Sequence, residues 1–238
     1  MTLRENPNFL ILLVAYCLPS GSFLAVGALM SNVFDPYDFL PAEIAFLSLG
    51  LLLVGVTGAV LFGLFLDKTK LYKITMHITM VLVILSIGSV VAVLTWMIES
   101  RLFKTYLVVL LIIAGFFSTG YYPLCISYGS EITFPVQPAL VNGMFTLSDG
   151  ISSFLFSLLG GFLIKEGRDD ESLSEEALQE ARRFRAKLVI SMAILAALIS
   201  LILSFIVKED LKRLEYEKGQ KKNEQHSQVD EDKAKQIE

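Results

Sequence analysis

The sequence predicts an all-α membrane protein built on six transmembrane helices. Three observations carry that prediction. The 238 residues are 54% hydrophobic, with a mean hydropathy of +0.61. Charged residues make up only 18%, against roughly 25% in an average soluble domain. Those charges also collect in short loops, in residues 165–187 and in the tail from Lys208 to Glu238. What remains is a series of nearly uncharged runs, each long enough to cross a bilayer as a helix of about 20 residues. Helices are the default for such runs, because lipid offers the backbone no hydrogen-bonding partner. The net charge of −4 says little about nucleic acid, and no basic stripe with interleaved aromatics appears, so no nucleic-acid partner is expected.

The spans are expected near residues 9–33, 42–66, 74–97, 103–127, 138–164 and 187–207, after a short N-terminal segment 1–8. The first follows Arg4 and Glu5 and is too long for the apolar region of a cleavable signal. The second ends in the charged turn "DKTKLYK", which leads into the third. The fourth closes in "YYPLCISYGSEITFP", where Pro123 and Pro135 are expected to break or kink the helix. The fifth carries an aspartate, Asp149, near its middle. Before the sixth, residues 165–187 read as a helix of their own. Ser172 with Glu175 forms a capping box, and acids gather early and arginines late. This segment is either a surface extension of the sixth span or a helix for a partner. The tail, 208–238, has almost no apolar side chain after Tyr216 and reads as disordered.

The loops alternate in charge. Twelve of the twenty lysines and arginines fall on the side that receives both termini, "DKTKLYK" and "GSEITFPVQP". The positive-inside rule then places both termini in the cytoplasm of a plasma or organelle membrane. Arg182, Arg183, Arg185 and Lys187 lie on the opposite side, diluted by acids. Cys17 and Cys125 sit inside apolar runs and read as small buried side chains rather than a disulfide. No set of side chains at zinc-site spacing, paired catalytic acids, nucleophile with histidine, or phosphate loop is visible, so neither an enzyme nor a cofactor is expected.

A carboxylate inside a span costs at least a few kcal/mol unless something offsets it. Asn142, Thr146, Asp149, Ser153 and Ser157 recur at helical spacing, which gives the fifth span one polar face. Such a face should line a cavity or meet other helices. Asp149 could attract an organic cation, carry a proton, or hydrogen-bond neighbouring hydroxyls as a neutral acid. Tyr16 and Ser20 share a face of the first span, beside Ser22. The fourth adds Ser118, Thr119, Tyr121, Tyr122 and Tyr128. Tyrosine rings suit a quaternary ammonium through cation–π attraction, and they also serve as interface anchors. His77 could ligate iron, but a lone histidine near a loop is usually structural.

"GLFLDKTKLYK" resembles the loop signature of the major facilitator superfamily, G-x-x-x-D-R/K-x-G-R/K. Gly63, Asp67 and Lys68 match, Lys70 stands at the usual glycine, and Leu71 replaces the second basic residue. Gly63 would let two helices approach closely. Asp67 would cap the third span and pair with a basic residue on a neighbouring helix. Longer stretches resemble the feline leukaemia virus subgroup C receptor-related family. They are "GAVLFGLFLDKTKLYKITMHITM", "GFFSTGYYPLCISYGSEITFPV", "LVNGMFTLSDGISSFLFSLLGGFL" and "LLVAYCLPSGSFLAVGALM". They are similar to spans seven to eleven of that family, which makes the chain resemble the C-terminal half of a twelve-span carrier.

The resemblance implies a three-plus-three helix bundle and a partner: a second six-span half, either a separate chain or a second copy. It implies transport of a small organic solute by alternating access, with amines such as choline, or a haem-like metabolite, as candidates. A non-transporting scaffold descended from a carrier is the alternative. Glu131 matches a glutamate of the family and is expected to gate or cap. The choline-binding members use an aromatic in the seventh span and a glutamine in the eleventh. Here Leu24 stands at the aromatic position, and the glutamine position falls near Gly150, beside Asp149.

Overall fold

The computed structural model describes residues 6–96, 102–165 and 175–208. Ser172, the segment before Glu175 and the tail from 209 lie outside the described residues. Among the described residues six helices are long and apolar enough to cross a membrane. They are α1 (Pro7–Ala28), α3 (Pro41–Thr69), α4 (Tyr72–Trp96), α5 (Phe103–Ile132), α6 (Pro138–Lys165) and α7 (Glu175–Ile206). A short α2 (Met30–Phe34) and a 3₁₀ turn (Asp35–Tyr37) lead from α1 to α3. The first span therefore ends at Ala28, before the expected residue 33.

Local chemistry sets the helix ends. Asn6 caps α1 by accepting the Phe9 N–H at 3.3 Å, and Pro7 occupies the first helical position. Pro41 opens α3, where the Glu43 carboxylate accepts the Leu40 N–H at 2.9 Å. α3 ends on Lys70 in the left-handed region, at φ 54°. This is the position where the family signature carries glycine, so the backbone turn persists without the residue that favours it. α5 runs on through Pro123 instead of breaking there. α7 begins twelve residues before the expected 187, so the charged segment from Glu175 extends the sixth span.

The helices pack in two triplets. α1 rests on α6 and α7; α5 rests on α3 and α4; α1 meets α5, and α4 meets α7. Exchange α1, α3, α4 for α5, α6, α7 and each of these pairs maps onto another or onto itself. That is the internal symmetry of a three-plus-three bundle. Small residues make the closest approaches. A Cβ added at Gly55 of α3 would lie 2.7 Å from Thr119 Oγ1, and one at Gly58 would lie 2.5 Å from the Phe116 carbonyl. Gly21 of α1 is notched over Ser152 of α6, whose hydroxyl donates to the Cys17 carbonyl at 2.6 Å.

α1 also runs through a proline, Pro19. Proline has no N–H to give the Ala15 carbonyl four residues back. Ser200 of α7 donates to that carbonyl, and Tyr121 of α5 meets the same Ser200 hydroxyl at 3.3 Å. One buried polar contact thus joins three helices at the site of a missing backbone bond. The end where α1 begins and α7 finishes is tied likewise. Tyr72 donates to Glu131 at 3.2 Å, Asn6 to the Ile132 carbonyl at 3.2 Å, and Lys73 to the Val207 carbonyl at 2.7 Å. At the opposite end Lys104 pairs with Glu43 at 3.1 Å and reaches the Asp38 carbonyl. Arg183 donates to the Pro36 carbonyl at 3.1 Å and covers the Tyr37 ring. Burial pushes the Tyr37 phenol up to about 12, so it stays a neutral donor to the Arg183 carbonyl.

Candidate functional site

α3 and α6 are the least covered helices. Only 17% and 11% of their apolar windows are buried, against 39–50% for the other four. α6 lies on α1 so that Val141, Phe145 and Ser152 face inward, while Asn142 and Thr146 are exposed. Thr146 uses its hydroxyl on the Asn142 carbonyl of its own helix, at 3.0 Å. Asp149 and Ser153 are half-buried along the seam with α1.

Three of the expected residues, Tyr16, Ser20 and Tyr122, come together at Asp149. Ser20, fully buried, faces its carboxylate. Tyr16, Cys17 and Tyr122 lie within its electrostatic reach. The rings of Tyr16 and Tyr122 meet edge-on, with centroids 5.9 Å apart, and Tyr16 packs against Phe145 at 4.8 Å. No hydrogen bond of ordinary geometry closes the cluster: Oδ1 of Asp149 and the hydroxyls of Ser20 and Tyr122 are buried without a partner. Tyr16, Tyr122 and Asp149 lie 9, 10 and 11 residues from the helix ends Pro7, Ile132 and Pro138. At 1.5 Å per residue that is about 15 Å, well inside a hydrocarbon layer roughly 30 Å thick.

The other expected residues fall elsewhere. Tyr121, next to Tyr122, points into the core, 1% exposed, and contacts Ser200. Glu131 is held by Tyr72 at the bundle end. Gly63 does not mediate a close helix approach, since a Cβ there would meet nothing within 4 Å. Among the described residues Asp67 neither caps α4 nor reaches another helix. It belongs to the last turn of α3 and pairs with Lys70, three residues on, at 3.8 Å; Lys68 is exposed beside them. His77 stacks on Phe205 at 4.2 Å. Cys17 and Cys125 are free thiols.

Sequence reasoning missed the contribution of α3. A cavity of about 470 Å³ opens between α1 and α3, walled by Phe23, Leu24, Leu52, Gly55 and Val56, with Thr119 and Tyr122 of α5 behind. Ser48, Thr119 and Tyr122 bring its few polar atoms. Asp149 is not among its lining residues, so Tyr122 is the side chain shared by the cavity and the acid. The three-residue spacing of Gly55 and Gly58 was the available signal for a close α3–α5 contact. The arrangement places a carboxyl group beside two phenol rings, next to an apolar chamber.

No family model matches the chain. Among curated proteins it is 32% identical over 161 residues to the choline/ethanolamine transporter flvcr2a of Danio rerio, covering 67% of this chain and 33% of that protein. It is 34% identical over 167 residues to the choline/ethanolamine transporter FLVCR1 of Felis catus, covering 68% of this chain and 28% of that one. An uncharacterized MFS-type transporter, C09D4.1 of Caenorhabditis elegans, is 26% identical over 213 residues, 89% of this chain and 32% of the relative. The chain thus spans about a third of the length of the curated relatives it matches.

Proposed function

Because the chain resembles the C-terminal half of a major facilitator transporter of the feline leukaemia virus subgroup C receptor-related family, we propose that it forms one half of a carrier for a small organic cation of the choline or ethanolamine kind. The observation that carries this reading is the half-buried Asp149 carboxylate, with Oδ1 unpartnered, between α1 and α6 beside Tyr16 and Tyr122. A cation entering there exchanges its hydration shell for one formal charge and two ring faces. Among the three roles open to Asp149, counter-charge fits best. Oδ1 of Asp149 and the Ser20 and Tyr122 hydroxyls, buried without a partner of ordinary geometry, leave polar capacity that a bound cation and its hydroxyl would take up.

Alternating access requires a second six-span half, and the little-covered faces of α3 and α6 are the surfaces it would meet. Both termini lie in the cytoplasm on this reading, with the Tyr72–Glu131 contact at the inner end.

The test is uptake of labelled choline, ethanolamine and a panel of neutral and anionic metabolites into vesicles carrying the chain and its other half. The native protein takes up the amines, and Asp149→Asn loses them by at least about tenfold while expression holds. Equal uptake by both proteins removes Asp149 from the solute path. Uptake of no solute by the native protein, despite a stable complex, favours the scaffold.

A further inference from the structure

The last turn before the apolar part of α7 carries three arginines, which are used differently. Arg183 is fully engaged, on the Pro36 carbonyl and over the Tyr37 ring. Arg182 and Arg185 instead line a shallow notch with Asn32, Asp35, Ile164 and Ala186, where α2, the end of α6 and α7 meet. Asp35 shares this notch with both guanidinium groups, yet no ion pair within 4.0 Å joins them; the ion pairs among the described residues are Asp67–Lys70 and Glu43–Lys104. Among the described residues the buried Nε of Arg182 has no hydrogen-bond acceptor, and Arg185 reaches the Leu163 carbonyl at 3.5 Å. Arginine stays charged and presents a planar fork suited to phosphate oxygens. One fork with a buried Nε that lacks an acceptor, beside a second held only by a long contact to a backbone carbonyl, with a carboxylate nearby but apart, matches a ligand that carries both signs.

The position of the notch limits the source of that ligand. From Val189 to Val207 α7 has no charged residue, so Arg182 and Arg185 stand where the helix enters the hydrocarbon. Ile164 lines the notch, and Leu159 and Phe162 of the same helix end are exposed, at 55% and 67%. A lipid placed there has its headgroup at the arginines and its chains along α6. We infer that the notch holds the headgroup of a zwitterionic phospholipid, with the phosphodiester on Arg182 and Arg185 and the ammonium on Asp35. This site is separate from the Asp149 cluster and does not depend on transport.

Native mass spectrometry of the full chain tests it, after equilibration with vesicles of phosphatidylethanolamine and phosphatidylglycerol in equal parts and gentle detergent extraction. The native chain retains phosphatidylethanolamine preferentially. R182Q/R185Q loses about tenfold of the retained phospholipid, as expected for removal of charged hydrogen-bond donors. Asp35→Asn keeps binding but shifts the preference towards phosphatidylglycerol. Should the double arginine variant fail to fold, the Asp35→Asn preference alone decides. Undiminished retention by a folded R182Q/R185Q, or an unchanged preference in Asp35→Asn, overturns the inference. Binding of soluble phosphoethanolamine by a chain that retains no lipid would keep the charge chemistry but overturn the lipid as its source.

Discussion

α3 and α6 occupy equivalent places in the bundle and are built to opposite purposes. Each flanks a proline-containing helix, α5 or α1, and each is sealed to it where a glycine of one helix meets a hydroxyl side chain of the other, Gly55 with Thr119 and Gly21 with Ser152. Each also leaves most of its apolar surface uncovered. Both expose apolar side chains, Leu49, Leu53, Val56 and Val60 on α3 and Leu147, Ile151, Phe154 and Leu158 on α6, yet α6 adds a polar face, with Asn142 and Thr146 exposed and Asp149, Ser153 and Ser157 half-buried. Packing is duplicated by the internal symmetry and polarity is not. A carboxyl group is costly inside a bilayer, so Asp149 in the middle of only one of two equivalent helices marks a requirement other than holding the bundle together.

Four comparisons of variants would break or sharpen this contrast. The largest effect is on transport: Asp149→Asn abolishes amine uptake while thermal stability in detergent stays close to native, because the acid closes no hydrogen bond of ordinary geometry. Next is packing on the apolar helix. Gly58→Leu forces a side chain against the Phe116 backbone and destabilises the α3–α5 pair by about 1–3 kcal/mol, while Gly63→Leu, which meets nothing, stays within about 0.5 kcal/mol. Parallel detergent melts read the difference, and equal losses at the two glycines would contradict the notch.

Third, Ser200→Ala leaves the Ala15 carbonyl without a donor and costs about 1 kcal/mol. Restoring the backbone N–H with Pro19→Ala in that background recovers part of the loss, and a double-mutant cycle measures the coupling. The smallest effect is Lys70→Gly. It relieves a left-handed lysine and raises stability by several tenths to about 1 kcal/mol, read as an upward shift in Tm.

The number and order of spans were legible because long uncharged runs leave few alternatives in lipid. The points that misled were those where a partner, not the local sequence, decides the outcome. Pro123 signals a break or a kink, and α5 continues through it from Phe103 to Ile132. The 3.6-residue period put the polar residues of α6 on one face correctly, since nothing interrupts that helix. It could not separate Tyr121 from Tyr122. Adjacent residues point about 100° apart, and only the position of Ser200 on α7 fixes which of the two turns to the core. Gly63 looked like a contact glycine because a loop signature contains it, whereas Gly55 and Gly58, in plain apolar sequence, make the contact.

The account rests on Asp149 acting as the counter-charge of a bound cation. The most direct test is competition between choline and its uncharged carbon isostere, 3,3-dimethylbutan-1-ol, for binding to the native protein and to Asp149→Asn. The account predicts that the native protein prefers choline by at least about tenfold and that the substitution erases the preference by weakening choline alone. The same preference in both proteins would contradict it.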